Sequence, residues 1–302
     1  MINPILASSG VRRMRSVRTP LIVTLYVLLQ LAFIYVYSFE AYGRATFTLQ
    51  QLRRNVDGYV FLLALQFALL VLVAPAMTAG SIAGERERQT LDLLKVTNTS
   101  SFSIVIGKLL ESFGFLCLLI IASMPVLGII LLTGGVSLPQ ILLSVAFLML
   151  IALAALSIGL FTSTLFKRTV TATVVSYLTI FGFGILTLLP ILGDVRVIGK
   201  IYTEAVNANI TLQSIDYIPI SFVTNPGLGL LSLIISQVGL EVNYLSALSY
   251  TLYATFELLS FSAYALYNMI FLGGFSLLLI GASALLVRWR GGDGKKRKRK
   301  KA

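Results

Sequence analysis

A charge-balanced set of ionisable side chains stands in GERERQTLDLLK, Gly84 to Lys95. Glu85, Arg86, Glu87, Arg88, Asp92 and Lys95 place three charges of each sign within an otherwise apolar chain. Catalysis fits that set poorly. The chain has no histidine, and its one cysteine, Cys117, stands inside an apolar run, which excludes Ser-His and Cys-His nucleophile pairs and the usual zinc sites. Recognition is the chemistry that remains. Arg88 and Asp92 stand four apart, as do Glu85 and Gln89, so the spacing predicts a self-supporting surface helix over 84–95. Leu91 and Leu94 form an apolar ridge beside the charges. A helix lying on lipid usually carries a basic polar face, whereas a neutral mixed-sign face with an apolar ridge suits a groove on another protein.

The elements that hold this stretch are membrane spans. The 302 residues are 57% hydrophobic and 12% charged, and several apolar runs exceed the roughly 18 residues that mark a spanning helix. Spans fall at 20–39, 59–79, 104–133, 141–165, 170–192 and 263–287. They predict an all-α, polytopic membrane protein with six transmembrane helices. Pro125 predicts a kink in the overlong third run, and Pro190 an irregular end to the fifth. With the N-terminus, the loops 80–103 and 166–169 and the C-terminus in the cytoplasm, only Arg44, Arg53, Arg54, Arg196 and Lys200 remain outside. The net charge of +12 is therefore read as topology and not as a nucleic-acid surface. The run KKRKRKK, Lys295 to Lys301, is expected to be solvated, disordered and attracted to anionic lipid. In the long loop 193–262, PGLGLLSLIISQVGL is too short to span and YLSALSYTLYATFELL is rich in interfacial aromatics. Short re-entrant or interfacial helices on the outer side, before the last span, are expected there.

Gly84, Glu85, Arg86, Glu87, Gln89, Thr90, Leu91, Asp92, Leu93 and Leu94 are followed by SIVIGKLL, with Gly107 and Lys108 opening the third span. Together they closely resemble the permease (membrane) subunits of ABC transporters, in the ABC type 2 exporter family. There a short helix between the second and third spans reads Gly-Glu-Lys/Arg-Glu, then Thr-Leu-Glu-Leu-Leu, then an Ile-x-x-Gly-Lys opening. NPIL followed by RRMRSVRTPLIVTLY also looks like that family's cytoplasmic lead-in helix. Two departures are visible: Asn98 stands near the place of a common proline, and ASSG stands where charged residues are frequent.

The resemblance implies a six-span permease domain over 1–287. Within it, 1–19 is a cytoplasmic lead-in helix, 84–95 a coupling helix and 193–262 the extracytoplasmic helices, with 288–302 a basic cytoplasmic tail. It implies that Glu85, Arg86, Glu87, Arg88, Thr90, Leu91, Asp92 and Leu94 dock on a separate ATP-binding subunit, present in two copies. A second permease, identical or related, is implied beside it, joined through the outer helices and the first, second and fifth spans. ATP and Mg are expected in the partner and no cofactor in this chain, which lies in the cell (inner) membrane among lipids, both termini cytoplasmic. The sequence itself favours a separate motor, because no cytoplasmic loop exceeds about 25 residues and no G-x-x-x-x-G-K-[ST] occurs. The nearest approach, GDVRVIGKI, has the wrong spacing.

An ion-coupled secondary transporter is the alternative, with a non-transport membrane scaffold behind it. Such transporters place carboxylates or broken helices near the midplane. Here the span cores hold only Gln30, Gln66, Asn268, Ser and Thr, and Glu111 stands where it can pair with Lys108 at i, i+3. The three amides are candidates to line a path or to bond between helices. Without a charged pathway an amphipathic or lipid-like cargo is favoured, and its export is implied by the resemblance alone.

Overall fold

The computed structural model describes residues 18–42, 49–90, 100–133, 136–208, 217–238 and 260–299. Among them every regular element is a helix, as hydrocarbon demands: a helix satisfies its backbone amides within its own segment. In chain order they are α1 Arg18–Tyr42, α2 Leu49–Thr78, α3 Ala83–Glu87, α4 Ser101–Ala122, α5 Met124–Thr133 and α6 Leu138–Leu165. There follow α7 Thr169–Leu188, α8 Ile191–Asn207, α9 Ile220–Thr224, α10 Pro226–Val238 and α11 Phe261–Arg299. Six helical stretches are long and apolar enough to cross a membrane. The all-α, six-span polytopic architecture read from the sequence is the architecture observed.

Prolines set the breaks. The third span divides into α4 and α5 at Ser123, whose N–H is shared between the Leu119 and Ile120 carbonyls and whose Oγ donates to the Ile120 carbonyl at 2.6 Å. Pro125 follows with no N–H to continue the ladder. After α7 the chain turns at Leu189–Pro190, and the Pro190 carbonyl accepts from Gly193 and Asp194, both at 2.9 Å. The turn leads directly into α8, a 17-residue helix that the sequence reading does not anticipate. At the other end α11 continues to Arg299, where the sequence points to a disordered run from Lys295. Extending an existing helix needs no new nucleus, and Lys and Arg are good helix formers.

The chain forms two compact units. The first lies within Met1–Gly135, Leu148–Ile180 and Gly273–Ala302; the second comprises Val136–Phe147 and Phe181–Leu272. In the first, small residues let helices approach: at Gly159 an added Cβ would run into the Thr78 side chain and come within 3.4 Å of Pro75 Cα. Tyr177 Oη donates to the Leu72 carbonyl at 2.8 Å, and the hydroxyls of Thr162 and Ser176 bond to each other. Of α6's apolar window 67% is buried, against 11% for α1, so α6 is a core helix and α1 is not.

The second unit is built on polar side chains. Asn225 caps α10, its Oδ1 accepting from Gly227 and Leu228 N–H at 2.9 and 3.1 Å, with Pro226 at the first helical position. Its Nδ2 donates to the Gly184 carbonyl and to Thr187 Oγ1. Asp194, buried on α8, accepts from Tyr217 Oη at 2.8 Å and from the Ser221 N–H and hydroxyl. Burial and that carboxylate push the Tyr217 hydroxyl up to about 12, so it remains a donor. Beneath lies an apolar cluster of Ile198, Phe222, Phe261 and Tyr264. At 13 residues α10 is a short apolar helix, in the place where the sequence predicts one; residues 239–259, which hold the second expected short helix, lie outside the described residues.

Gly159→Ala is expected to destabilise by about 1–3 kcal/mol through overpacking against Thr78. Heating the detergent-purified protein and measuring the monodisperse fraction reads the loss, and Thr78→Ala in the same chain should recover part of it.

Candidate functional site

The charged stretch is not free at its start. Ile82 precedes α3 and offers no capping side chain, and Ser163, near the end of α6, supplies one instead. Its Oγ accepts from the N–H groups of both Ile82 and Ala83 at 2.9 Å. Gly84 lies so close to α7 that a Cβ there would come within 3.2 Å of Thr169 Cγ2.

Each of the next three charges meets a different helix. Glu85 Oε1 pairs with Lys108 Nζ of α4 at 2.7 Å, both side chains about four-fifths covered. Arg86 Nη1 donates to the Thr164 carbonyl at 3.2 Å and the Phe166 carbonyl at 3.1 Å, at the end of α6. Glu87 Oε2 accepts from the Thr169 N–H at 3.0 Å and its Oγ1–H at 2.7 Å, at the start of α7. The polarity is the reason for the order of signs. A helix ends in unpaired carbonyls, which favour a cation, and begins in unpaired N–H groups, which favour an anion.

Directly after Glu87 the helix stops. Thr90 N–H reaches back to the Glu85 carbonyl at 2.9 Å and Gln89 N–H to the Arg86 carbonyl at 3.1 Å, with Gln89 at φ 58°. This is a Schellman ending, with glutamine where glycine is usual. The sequence expectation of one unbroken helix over 84–95 is corrected here: α3 ends at Glu87 and Arg88–Thr90 form a turn, while residues 91–95 lie outside the described residues. Glu85 and Gln89 therefore do not share a helical face. Helical pairs of that kind contribute about 0.2–0.5 kcal/mol, less than the roughly 1.5–3 kcal/mol of a hydrogen bond to a charged group. Tertiary partners prevail. Lys108 is paired across helices with Glu85.

Arg88 and Thr90 are exposed beyond the lock; Leu91, Asp92 and Leu94 lie outside the described residues. A polar cleft of about 750 Å³ opens beside the turn, lined among others by Ser81, Glu85, Arg88, Thr90 and Lys108. Ser163 and Thr169 are functional residues that sequence reasoning missed. Their roles depend on contacts about eighty positions away, and no local pattern marks them.

The three span amides separate into two kinds. Asn268 Nδ2 donates to the carbonyls of Phe222, Val223 and Asn225 at 2.8–3.0 Å, directly beside Gly229, where a Cβ would collide with it. It holds the α9–α10 turn. Gln30 and Gln66 are fully buried, and no amide atom of either has a hydrogen-bond partner among the described residues.

Among the described residues, six helices apolar and long enough to cross a membrane, with a short charged helix fastened to the ends of its neighbours, define a multi-pass membrane protein. Residues 5–290 match the ABC-2 family transporter protein family. The chain belongs to that family, as a membrane permease of an ABC transporter, and no curated protein matches it.

Glu85→Lys and Lys108→Glu should each destabilise by about 1–3 kcal/mol, since each leaves a partly buried charge beside a like one. The double exchange should recover most of the loss in the same thermal assay. Gln89→Gly should raise stability by about 1 kcal/mol, because glycine accepts the left-handed conformation without the side-chain penalty.

Proposed function

We propose that this chain forms the path of an exporter driven by a separate ATP-hydrolysing subunit, which docks on the turn that follows α3. The observation carrying this reading is the division at Gln89. Residues up to Glu87 are tied to α4, α6 and α7, while Arg88 and Thr90, on either side of the left-handed turn at Gln89, are exposed and lead in sequence to Leu91, Asp92 and Leu94. The docking residues are then Arg88, Thr90, Leu91, Asp92 and Leu94, whereas Glu85, Arg86 and Glu87 belong to the mounting beneath them.

ATP and Mg bind in the partner, in two copies, and this chain contributes no catalytic group. A second permease, identical or related, is supported by apolar faces left open on two spans. Leu21, Leu25 and Leu28 on α1, and Val170, Val174, Leu178 and Phe181 on α7, are exposed at helical spacing. The distribution of basic residues supports a cell-membrane location with both termini cytoplasmic. An amphipathic or lipid-like cargo is supported by the uncharged span cores, in which Gln30 and Gln66 retain amide groups for a hydrogen-bonding headgroup.

Leu91→Asp or Leu94→Asp should reduce association with the ATPase by about 10- to 100-fold, since burying a leucine contributes roughly 1.5–3 kcal/mol and a charge opposes that burial. Arg88→Glu should be milder, since exposed ion pairs contribute about 0–1 kcal/mol. Co-purification of the ATPase, normalised to permease in the membrane, is the measurement. Undiminished association and transport in both leucine variants would overturn the docking assignment.

A further inference from the structure

We infer that Glu85, Arg86 and Glu87 are positioning residues that make α3 and the loop between α6 and α7, residues 166–168, move as one body. A displacement of α3 is then delivered to α4, α6 and α7 together. The inference rests on the docking reading for the source of that displacement, but the mechanical link stands on contacts within this chain.

The three side chains reach three different helices, and none duplicates another. Lys108 gives Glu85 a hold on α4 at 2.7 Å. Arg86 bridges two carbonyls, Thr164 and Phe166, and so spans the last turn of α6 and the first residue after it. Glu87 closes the far side of the same loop through both the N–H and the hydroxyl of Thr169. Lys167 and Arg168, the residues between these two attachments, are exposed. The loop is thus gripped at each end by adjacent residues of α3. Ser163 adds a bond in the other direction, from α6 to the start of α3. All three charges have partners on the spans, Glu85 the Lys108 side chain, Arg86 and Glu87 backbone groups, although Glu87 remains exposed. The sign order is also not interchangeable, because a carboxylate at the α6 carbonyls or a guanidinium at the α7 amide would be repelled.

Two measurements test the link. In the permease alone, backbone hydrogen exchange should quicken together at 82–88 and 163–170 in Arg86→Met and in Glu87→Ala, by about tenfold, the equivalent of one charge-assisted hydrogen bond at its weaker end. Arg86→Lys should restore part of the protection. Exchange that quickens at 82–88 alone would overturn the inference, and this readout needs no ATPase. In the assembled transporter, with Cys117→Ser as background, Glu87→Cys with Thr169→Cys should lower transport per ATP hydrolysed by about tenfold while the ATPase still co-purifies. Bridging the two thiols with a short bifunctional reagent should recover at least half of the parent ratio. A pair that stays uncoupled after bridging, or that transports normally before it, would overturn the inference. Failure of any ATPase to co-purify with the parent chain would instead overturn the docking reading and leave the exchange result to decide the link.

Discussion

Backbone groups at helix ends have no partner within their own helix, and the first unit depends on how those of α6 and α7 are satisfied. At a membrane surface water can serve, but water leaves the ends independent. Here the terminal carbonyls of α6 and the first amide of α7 are taken by Arg86 and Glu87, and the amides opening α3 are taken by Ser163. Each bond satisfies a helix-end group that its own helix leaves unpaired, and each also fixes one helix end against another. Polar satisfaction and mechanical attachment are therefore the same set of contacts.

The second unit meets the same problem at the ends of its short helices with amides. Its short helices α9 and α10 have many ends for their length, and a 13-residue helix gains little stability on its own in water. Amides supply the partners instead. Asn268 takes carbonyls that α9 and its turn leave over, Asn225 caps α10, and Gln140 and Gln237 exchange bonds at α10's far end. Asp194 is a charge, but it is enclosed by three donors, Tyr217 Oη and the Ser221 N–H and hydroxyl. An uncharged amide can donate and accept at once, so one residue joins two chain segments with no charge to desolvate.

How far the sequence revealed this follows from the range of each interaction. Spans are local properties of composition, and all six were legible, as was the break beside Pro125, because a missing N–H acts within one turn. The α10 helix was legible for the same reason. α8 was not: its start depends on the Pro190 turn, and Asp194 sits there because Tyr217 and Ser221 meet it from 23 and 27 residues away. The site divides likewise. Clustering of charge at Glu85–Arg88 marked it, yet the end of α3 at Glu87 and the pairing of Glu85 with Lys108 come from tertiary contacts that no i, i+4 count contains. Asn268 was visible as a polar residue in a span, but only the carbonyls around it decide between bonding helices and lining a path.

The position of Gln89 joins these strands. A helix continuing past Gln89 would carry Arg86 and the residues after it on one rigid rod, and any rotation of that rod would pull Arg86 and Glu87 from their carbonyls and amide. The left-handed turn at Gln89 ends that rod within three residues of Arg86. Upstream, Arg86 and Glu87 satisfy the spans' own backbone; Arg88 and Thr90 are exposed. The strain of a non-glycine residue in that conformation, of order 1–2 kcal/mol, is offset by the bonds that the turn closes, from Thr90 N–H and Oγ1 to the Glu85 carbonyl. Because Glu85 is also the residue paired with Lys108, the turn is anchored to α4 through the same side chain's backbone. The end of α3 is therefore a short, cross-bonded element and not a frayed helix end.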